Sequence, residues 1–411
     1  MKSSSFLIEH QCPQCGAPAI LEETDHLFTC QYCRVKSYLL SPDFFRYMFP
    51  HSSPGGKSLI FLPYWRFKGC FFSCTSGGIR QRIVDISHQG ILSSYFPVSL
   101  GLRSQTLKLR FASQEDRARF LKPSLPYHEA LHLVEKRFSS SLPEPVFARN
   151  FLGETMSLIF SPFYVDGRIY DAILKRPVSP VLPQDFDIEN MPSDRTKWKI
   201  KFVPALCPNC GWDLEGARDS LALNCKNCDS VWLAGKKGFT RMKFGSLPLS
   251  ANNATYLPFY RIRTQVTGMD IDSYADLIRV SNLPKVIQEG WEKEPFWFWS
   301  PAFKIRPQDM LRFSRNLTLF QPRDEVIPEL PEGEIYPVTL PVREAVDNLK
   351  IILASFMKPQ KVLLPRLPEI DFKPRSFLLV YIPFQGRGSE LTQPSFQLRV
   401  NKNLLSFARY L

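Results

Sequence analysis

Four apolar runs along the chain end alike, in a proline, an aromatic residue and then a polar stretch. They read LIFLPYWRFKG (59–69), LIFSPFYVDGRIY (158–170), ATYLPFYRIRTQ (254–265) and LLVYIPFQGRG (378–388). Their density of Val, Ile, Tyr, Phe and Trp predicts strands. Because proline cannot donate to a ladder, its recurrence predicts an edge strand, a strand start or a bulge. Helical spacing is sparser. Leu131, Val134 and Phe138 share one face of 126–138, and Val346, Leu349 and Leu353 share one face of 341–356. Each of these segments begins with a proline, which suits a helical first turn. Less regular helical patterns cover 41–49 and 271–288, while the Pro- and Ser-containing stretches 139–145 and 177–192 read as connectors.

The runs belong to a longer repeat. Cys12, Cys15, Cys30 and Cys33 recur at Cys207, Cys210, Cys225 and Cys228, all displaced by 195 residues. The same displacement carries Pro13 to Pro208, Gly16 to Gly211 and LPYWRFK (62–68) onto LPFYRIR (257–263). Further on it grows, as insertions require: Leu102-Arg103-x-Gln105 matches Ile305-Arg306-x-Gln308, and Leu125-Pro126-x-x-Glu129-Ala130 matches Leu340-Pro341-x-x-Glu344-Ala345. The pattern predicts an α+β, strand-rich chain of two pseudo-repeated halves. Each half would be a small metal module followed by a mainly antiparallel sheet body with few helices. The expected divisions are a first metal module at 1–40, its body at 41–177, a linker at 178–200, a second module at 201–236 and its body at 237–411.

Both cysteine quartets have the form C-x2-C-x14-C-x2-C. Each CxxC can turn as a tight knuckle, and the spacer lets a hairpin bring the second knuckle across the first. Four converging thiolates suit a closed tetrahedral Zn²⁺ site; rubredoxin-like iron uses the same ligands. The expected cofactors are therefore two structural Zn²⁺, with iron as the alternative. The knuckles Cys12-Pro-Gln-Cys15-Gly16 and Cys207-Pro-Asn-Cys210-Gly211 resemble those of the zinc-ribbon superfamily, over about 25 residues at each site. That resemblance implies a small three-stranded fold at each quartet and names no activity. A ribbon followed by strands such as Tyr256-Leu-Pro-Phe-Tyr260 is similar to large bacterial zinc-ribbon proteins. Some of those are named after helicases, whose motifs this chain lacks. Cys70 and Cys74 have no counterpart in the second copy, where Gln265 and Met269 stand, and read as a buried, inert pair, with a local contribution to metal binding or a labile thiol pair as alternatives.

Composition adds limits. With 44% hydrophobic and 22% charged residues among 411, the chain is not a disordered one. No run of 18 apolar residues predicts a spanning helix, and the N-terminal residues do not read as a secretory signal. Paired CxxC motifs in such a chain point to a reducing, cytoplasmic location, with peripheral association at the cytoplasmic membrane face as an alternative. The net charge of +13 gathers partly in residues 57–122, where 11 Lys/Arg face 3 Asp/Glu. Basic residues interleaved with aromatics can track phosphates, meet a protein partner or an anionic lipid surface, or, where they follow Pro-aromatic strands as Arg66 and Arg261 do, simply form the solvent face of alternating positions. The candidate interaction residues are Arg66, Lys68, Lys108, Arg110, Arg261, Arg263, Trp297 and Trp299, with a further basic cluster at Lys236-Lys237. Pro54-Gly-Gly-Lys57-Ser58 lacks the spacing of a phosphate loop, and no catalytic constellation is legible. The function expected is a non-catalytic scaffold or accessory subunit that meets protein partners. Its alternatives are a nucleic-acid-binding factor using the basic first half, and an enzyme of unrecognised type.

Overall fold

In a computed structural model, the described residues are 6–41, 43–51, 57–101, 108–112, 118–139, 145–183, 186–193, 200–235, 238–248 and 254–408. The segment Leu102–Gln105, most of the Pro54–Ser58 turn, the pair Lys236-Lys237 and residues 194–199 of the expected linker lie outside them.

The chain divides into two compact units. The first comprises Met1–Gly69, Val84–Ser140 and Gly153–Pro204; the second comprises Cys70–Ile83, Ser141–Leu152 and Ala205–Leu411. Two pieces of the first sequence half thus belong to the second unit. Strand Lys201–Pro204, at the start of the second copy, pairs with Lys36–Leu40 inside the first unit.

The first unit holds most of a ten-stranded sheet in which the long strand Ile60–Thr75 pairs with Val146–Val165, the residues Cys70–Thr75 and Val146–Leu152 of these strands being assigned to the second unit. The second is built on a seven-stranded sheet in which Ala254–Thr267 pairs antiparallel with Asp371–Arg387. These strands carry the four Pro-aromatic runs, so the prolines stand in long inner strands rather than at the expected edges or strand starts. The ladder shows why this is tolerated. Pro258 falls between Thr255–Tyr256, which pair with Glu334–Ile335, and Phe259–Ile262, which pair with Phe298–Pro301. Pro383 likewise falls between Leu379–Tyr381, paired with Phe244–Ser246, and Gln385–Arg387, paired with Glu390–Thr392. Each proline sits where the outer neighbour changes, so its missing N–H leaves no ladder bond unmade. The carbonyls at these points are used: Pro63 O accepts from Gly90 N (2.7 Å), Pro162 O from Ala172 N (3.1 Å) and Pro258 O from Ala302 N (3.0 Å).

The two units repeat one wiring. Ile60 pairs in parallel with Arg119, and Thr255, displaced by 195, pairs in parallel with Glu334, displaced by 215. Phe45–Met48 runs parallel to Ser157–Phe160, as Phe244–Ser246 runs parallel to Leu379–Tyr381. The duplication is therefore visible in strand pairing as well as in the cysteines.

Helices depart from expectation in three places. The segment 41–49 is a strand over Phe45–Met48, because Tyr47 and Met48 are buried against the sheet. The pattern at 341–356 forms two helices, Val342–Asp347 and Leu349–Phe356, meeting at buried Asn348, whose side-chain oxygen accepts from Asn150 Nδ2 at 3.1 Å. The pattern at 271–288 shortens to Tyr274–Ser281, started by a Ser273/Asp276 capping box and stopped by Asn282 at φ 47. An unforeseen helix, Pro307–Phe320, buries Met310, Phe313 and Leu317 on one face. The helix at 126–138 forms as expected, over Tyr127–Ser139.

Candidate metal centres

Each quartet is assembled by the same local turn. Gly16 N–H donates to Cys12 O (2.9 Å) and Cys12 N–H to Ala17 O (2.8 Å); Arg34 N–H donates to Cys30 O (3.1 Å) and Cys30 N–H to Val35 O (3.1 Å). In the second copy Gly211 N–H donates to Cys207 O (2.8 Å) and Cys207 N–H to Trp212 O (2.7 Å). The residue after every CxxC is left-handed: Gly16 (φ 72), Arg34 (φ 62), Gly211 (φ 75) and Asp229 (φ 43). That turn folds the chain back and aims both thiols of a knuckle to one side. Two positions use glycine, which takes this conformation without steric cost. In the second copy the hairpin of Ala222–Cys225 with Ser230–Gly235 carries the second knuckle, and Gly238–Met242 completes a three-stranded sheet.

The four thiols of each quartet lie within 4.8 Å of one another. Cys12 and Cys33 Sγ are 3.7 Å apart, Cys15 and Cys30 3.7 Å, Cys207 and Cys228 3.6 Å, and Cys210 and Cys225 3.5 Å. A disulfide would need about 2.05 Å. A tetrahedron of sulfurs around an ion at about 2.3 Å has edges of about 3.8 Å. The spacing therefore fits four ligands around one ion, and both clusters are capable of coordinating a metal. In each, the first and third cysteines are buried, the second is exposed and the fourth is half-buried.

Without a cation such a cage cannot hold four negative charges. Amide donation from Cys33 holds the Cys30 thiol down to about 6. Its neighbour Cys33 receives the Val35 amide, but desolvation and the adjoining thiols outweigh it and push Cys33 up to about 12. In the second cage the Ser230 hydroxyl, then Asn209, holds Cys228 down to about 6, while burial, then Cys210, pushes Cys225 up to about 12. A dication is the partner that lets all four ionise.

The other expected residues scatter. Arg66 and Lys68 are interior, contrary to their reading as a solvent face. Every residue of Ile60–Thr75 is buried, so alternation exposes neither side. Arg66 Nε donates to both Glu23 carboxylate oxygens at 3.1 Å, its guanidinium pairs with Asp85, and it lies 3.9 Å over the Phe6 ring. Lys108 and Arg110 are exposed, Lys108 in an ion pair with Glu9 at 3.1 Å. Arg261 and Arg263 are half-buried beside the half-buried Trp297, 5.2 and 6.0 Å from its ring centre, and Arg263 donates to Phe296 O at 2.6 Å. Trp299 is a core residue of strand Phe298–Pro301 and offers no surface.

Cys70 and Cys74 are buried in the core of the second unit, where burial pushes their thiols up to about 12 and about 11. Neither is expected to react with maleimide in the native protein at pH 8, and both should react after unfolding in guanidinium. Labelling followed by peptide mass spectrometry checks this; fast native modification of Cys74 would refute the core assignment.

No protein-family model, curated protein or solved structure matches this chain. No helix among the described residues is long and apolar enough to cross a membrane.

Two contributors escaped the sequence reading: Ser230, beside the second cage, and Glu23, the buried counter-charge of Arg66. Ser230 was visible only as the residue that replaces Val35 in the second copy.

Proposed function

We propose that the protein is a non-catalytic accessory or scaffold subunit of a larger assembly, its two zinc-ribbon-like modules each held by one structural Zn²⁺. The observation that carries this reading is the pair of all-cysteine cages repeated in a duplicated frame. Four thiolates saturate a tetrahedral ion, so such a site stabilises a fold and leaves no position for substrate. Zinc rather than iron is the ion we assign.

The surface around the cages supports an interaction role. Each module carries exposed apolar side chains: Ile20, Tyr32 and Val35 in the first, Leu206 and Trp212 in the second. Trp212, 60% exposed, directly follows the Cys210-Gly211 turn. Exposed tryptophans on rigid turns are efficient anchors for a protein partner. The nucleic-acid reading loses two of its four first-half cations to the interior, Arg66 and Lys68, and a third, Lys108, is engaged by Glu9. We place the protein in a reducing, cytoplasmic setting, where free thiolate cages persist.

Purification of the native protein from cytosolic and membrane fractions should recover a stoichiometric protein partner. The Trp212→Asp variant should lose that partner while retaining its metal and its melting profile. A solitary monomer in both fractions would overturn the reading.

A further inference from the structure

The two cages share ligands, spacing and burial, yet they differ in what touches the fourth sulfur. In the second cage Ser230 Oγ lies 3.1 Å from Cys228 Sγ and 3.9 Å from Cys207 Sγ. The Trp232 indole Nε1 donates to the same oxygen at 2.8 Å. Indole N–H can only donate and a metal-bound thiolate can only accept, so the direction of the relay is fixed. Trp232 donates to Ser230, and Ser230 donates to Cys228. Ser230 is fully buried and Trp232 nearly so, which shields the relay from competing water. The Asn209 side chain is a further donor to Cys228. Displaced by 195 residues, the first cage has Val35 where Ser230 stands, Ser37 where Trp232 stands and Gln14 where Asn209 stands. Valine offers no hydroxyl to Cys33, whose sulfur receives the Val35 backbone amide instead.

We propose that the two metal sites are functionally unequal: the Cys207–Cys228 cage is a permanent one, locked by Ser230 and Trp232, and the Cys12–Cys33 cage is the exchangeable one. The proposal rests on the zinc assignment made above. A hydrogen bond to a ligating sulfur withdraws charge from it and fixes its orientation. Metal leaves such a cage when a thiolate lone pair is taken by a proton or a carbon electrophile. The S–H or S–C bond then forms, the Zn–S bond breaks, and Zn²⁺ passes to a chelator. Cys228 is held against that step by two side-chain donors, Ser230 and Asn209, whereas Cys33 has the Val35 backbone amide and no such relay. Access does not account for the difference, because the exposure pattern of the two cages is the same. A cell losing zinc or meeting an electrophile would therefore open the first module while the second stays folded.

The test uses the full chain loaded with zinc. Release is followed with a chromogenic zinc chelator in the presence of N-ethylmaleimide, and the labelled cysteines are read by peptide mass spectrometry. Two zinc ions should leave in two phases, the first about tenfold faster than the second. Cys15 and Cys33 should be labelled before Cys210 and Cys228. Ser230→Ala should accelerate the slow phase about tenfold, towards the fast one, with far-UV circular dichroism unchanged. Trp232→Phe, which keeps the hydroxyl but removes its orienting donor, should give an intermediate rate and serves if the Ser230 variant misfolds. Equal release from both cages, or a slow phase indifferent to both substitutions, would overturn the proposal. Fewer than two zinc ions per loaded chain would overturn it together with the metal assignment beneath it.

Discussion

Replacing Arg66 by leucine is expected to destabilise the first unit by about 3–5 kcal/mol, although leucine suits a buried strand position. The guanidinium side chain is 4% exposed and that of Glu23 1%. Desolvation works against the Arg66 charge, but Glu23 and Asp85 outweigh it and hold the pKa above the ordinary arginine value. Removing the cation leaves the Glu23 carboxylate buried, with the Ser157 hydroxyl donating to its Oε1 at 3.0 Å. The loss is thus the cost of an unpaired buried charge rather than the net value of the ion pair. Two further variants separate these quantities. Glu23→Gln in the Arg66→Leu background should recover a large part of the stability, because it removes the orphaned charge. Arg66→Lys should fall between, since a lysine ammonium cannot reproduce the planar fork that serves Glu23 and Asp85 together. Urea denaturation followed by tryptophan fluorescence reads all three. A loss below about 1 kcal/mol for Arg66→Leu would show that the pair contributes as little as a surface one.

The same residue shows where sequence reading reaches its limit. Period-2 alternation assumes a strand with one wet face, and on that assumption Arg66 and Lys68 belong to solvent. Their strand is buried throughout, and the matching charge, Glu23, comes from 43 positions earlier, in the spacer between the first module's two knuckles, where the cysteine motif fixes no residue. Local pattern cannot announce such a partner. The metal cages were legible because their chemistry is local: two residues between thiols, a glycine after the knuckle, and repetition at one displacement. The strands were legible for a similar reason, since β-branched and aromatic density is a short-range signal. The position of their prolines in the sheet was not, because it depends on where two other strands end. Pro258 is acceptable in an inner strand only because Glu334–Ile335 stops before it and Phe298–Pro301 starts after it. Helix breaks were similarly non-local. Asn348 divides a continuous helical pattern where its side chain meets Asn150, nearly 200 residues away.

Stripping the metal should have the largest effect of any single perturbation, with both modules losing their fold. Neither module has a large core of its own, and the ion replaces one by tying two hairpins together. Structural zinc in small modules supplies about 10–16 kcal/mol of apparent binding free energy near pH 7, and for a site absent from the unfolded chain this is folding free energy. Elemental analysis of the purified chain should give two zinc ions, whereas iron with a thiolate charge-transfer band would overturn the assignment. Cys225→Ser should remove one zinc and abolish the second module's protease resistance, because Cys225 is fully buried and its strand pairs with Ser230–Gly235. The pH dependence has a definite sign. Ligating thiolates are deprotonated in the metal-loaded state, so their effective pKa lies below the ordinary thiol value of about 8.5. The stability they supply is complete above that value and is lost as the pH falls through the depressed one. Cys33 and Cys225, pushed up to about 12 by desolvation and the adjoining thiols, would each surrender a proton on binding the ion. Acidification should therefore release zinc and unfold the modules together, and a melting temperature that holds below pH 5 after the zinc has left would show that the cages do not support the fold.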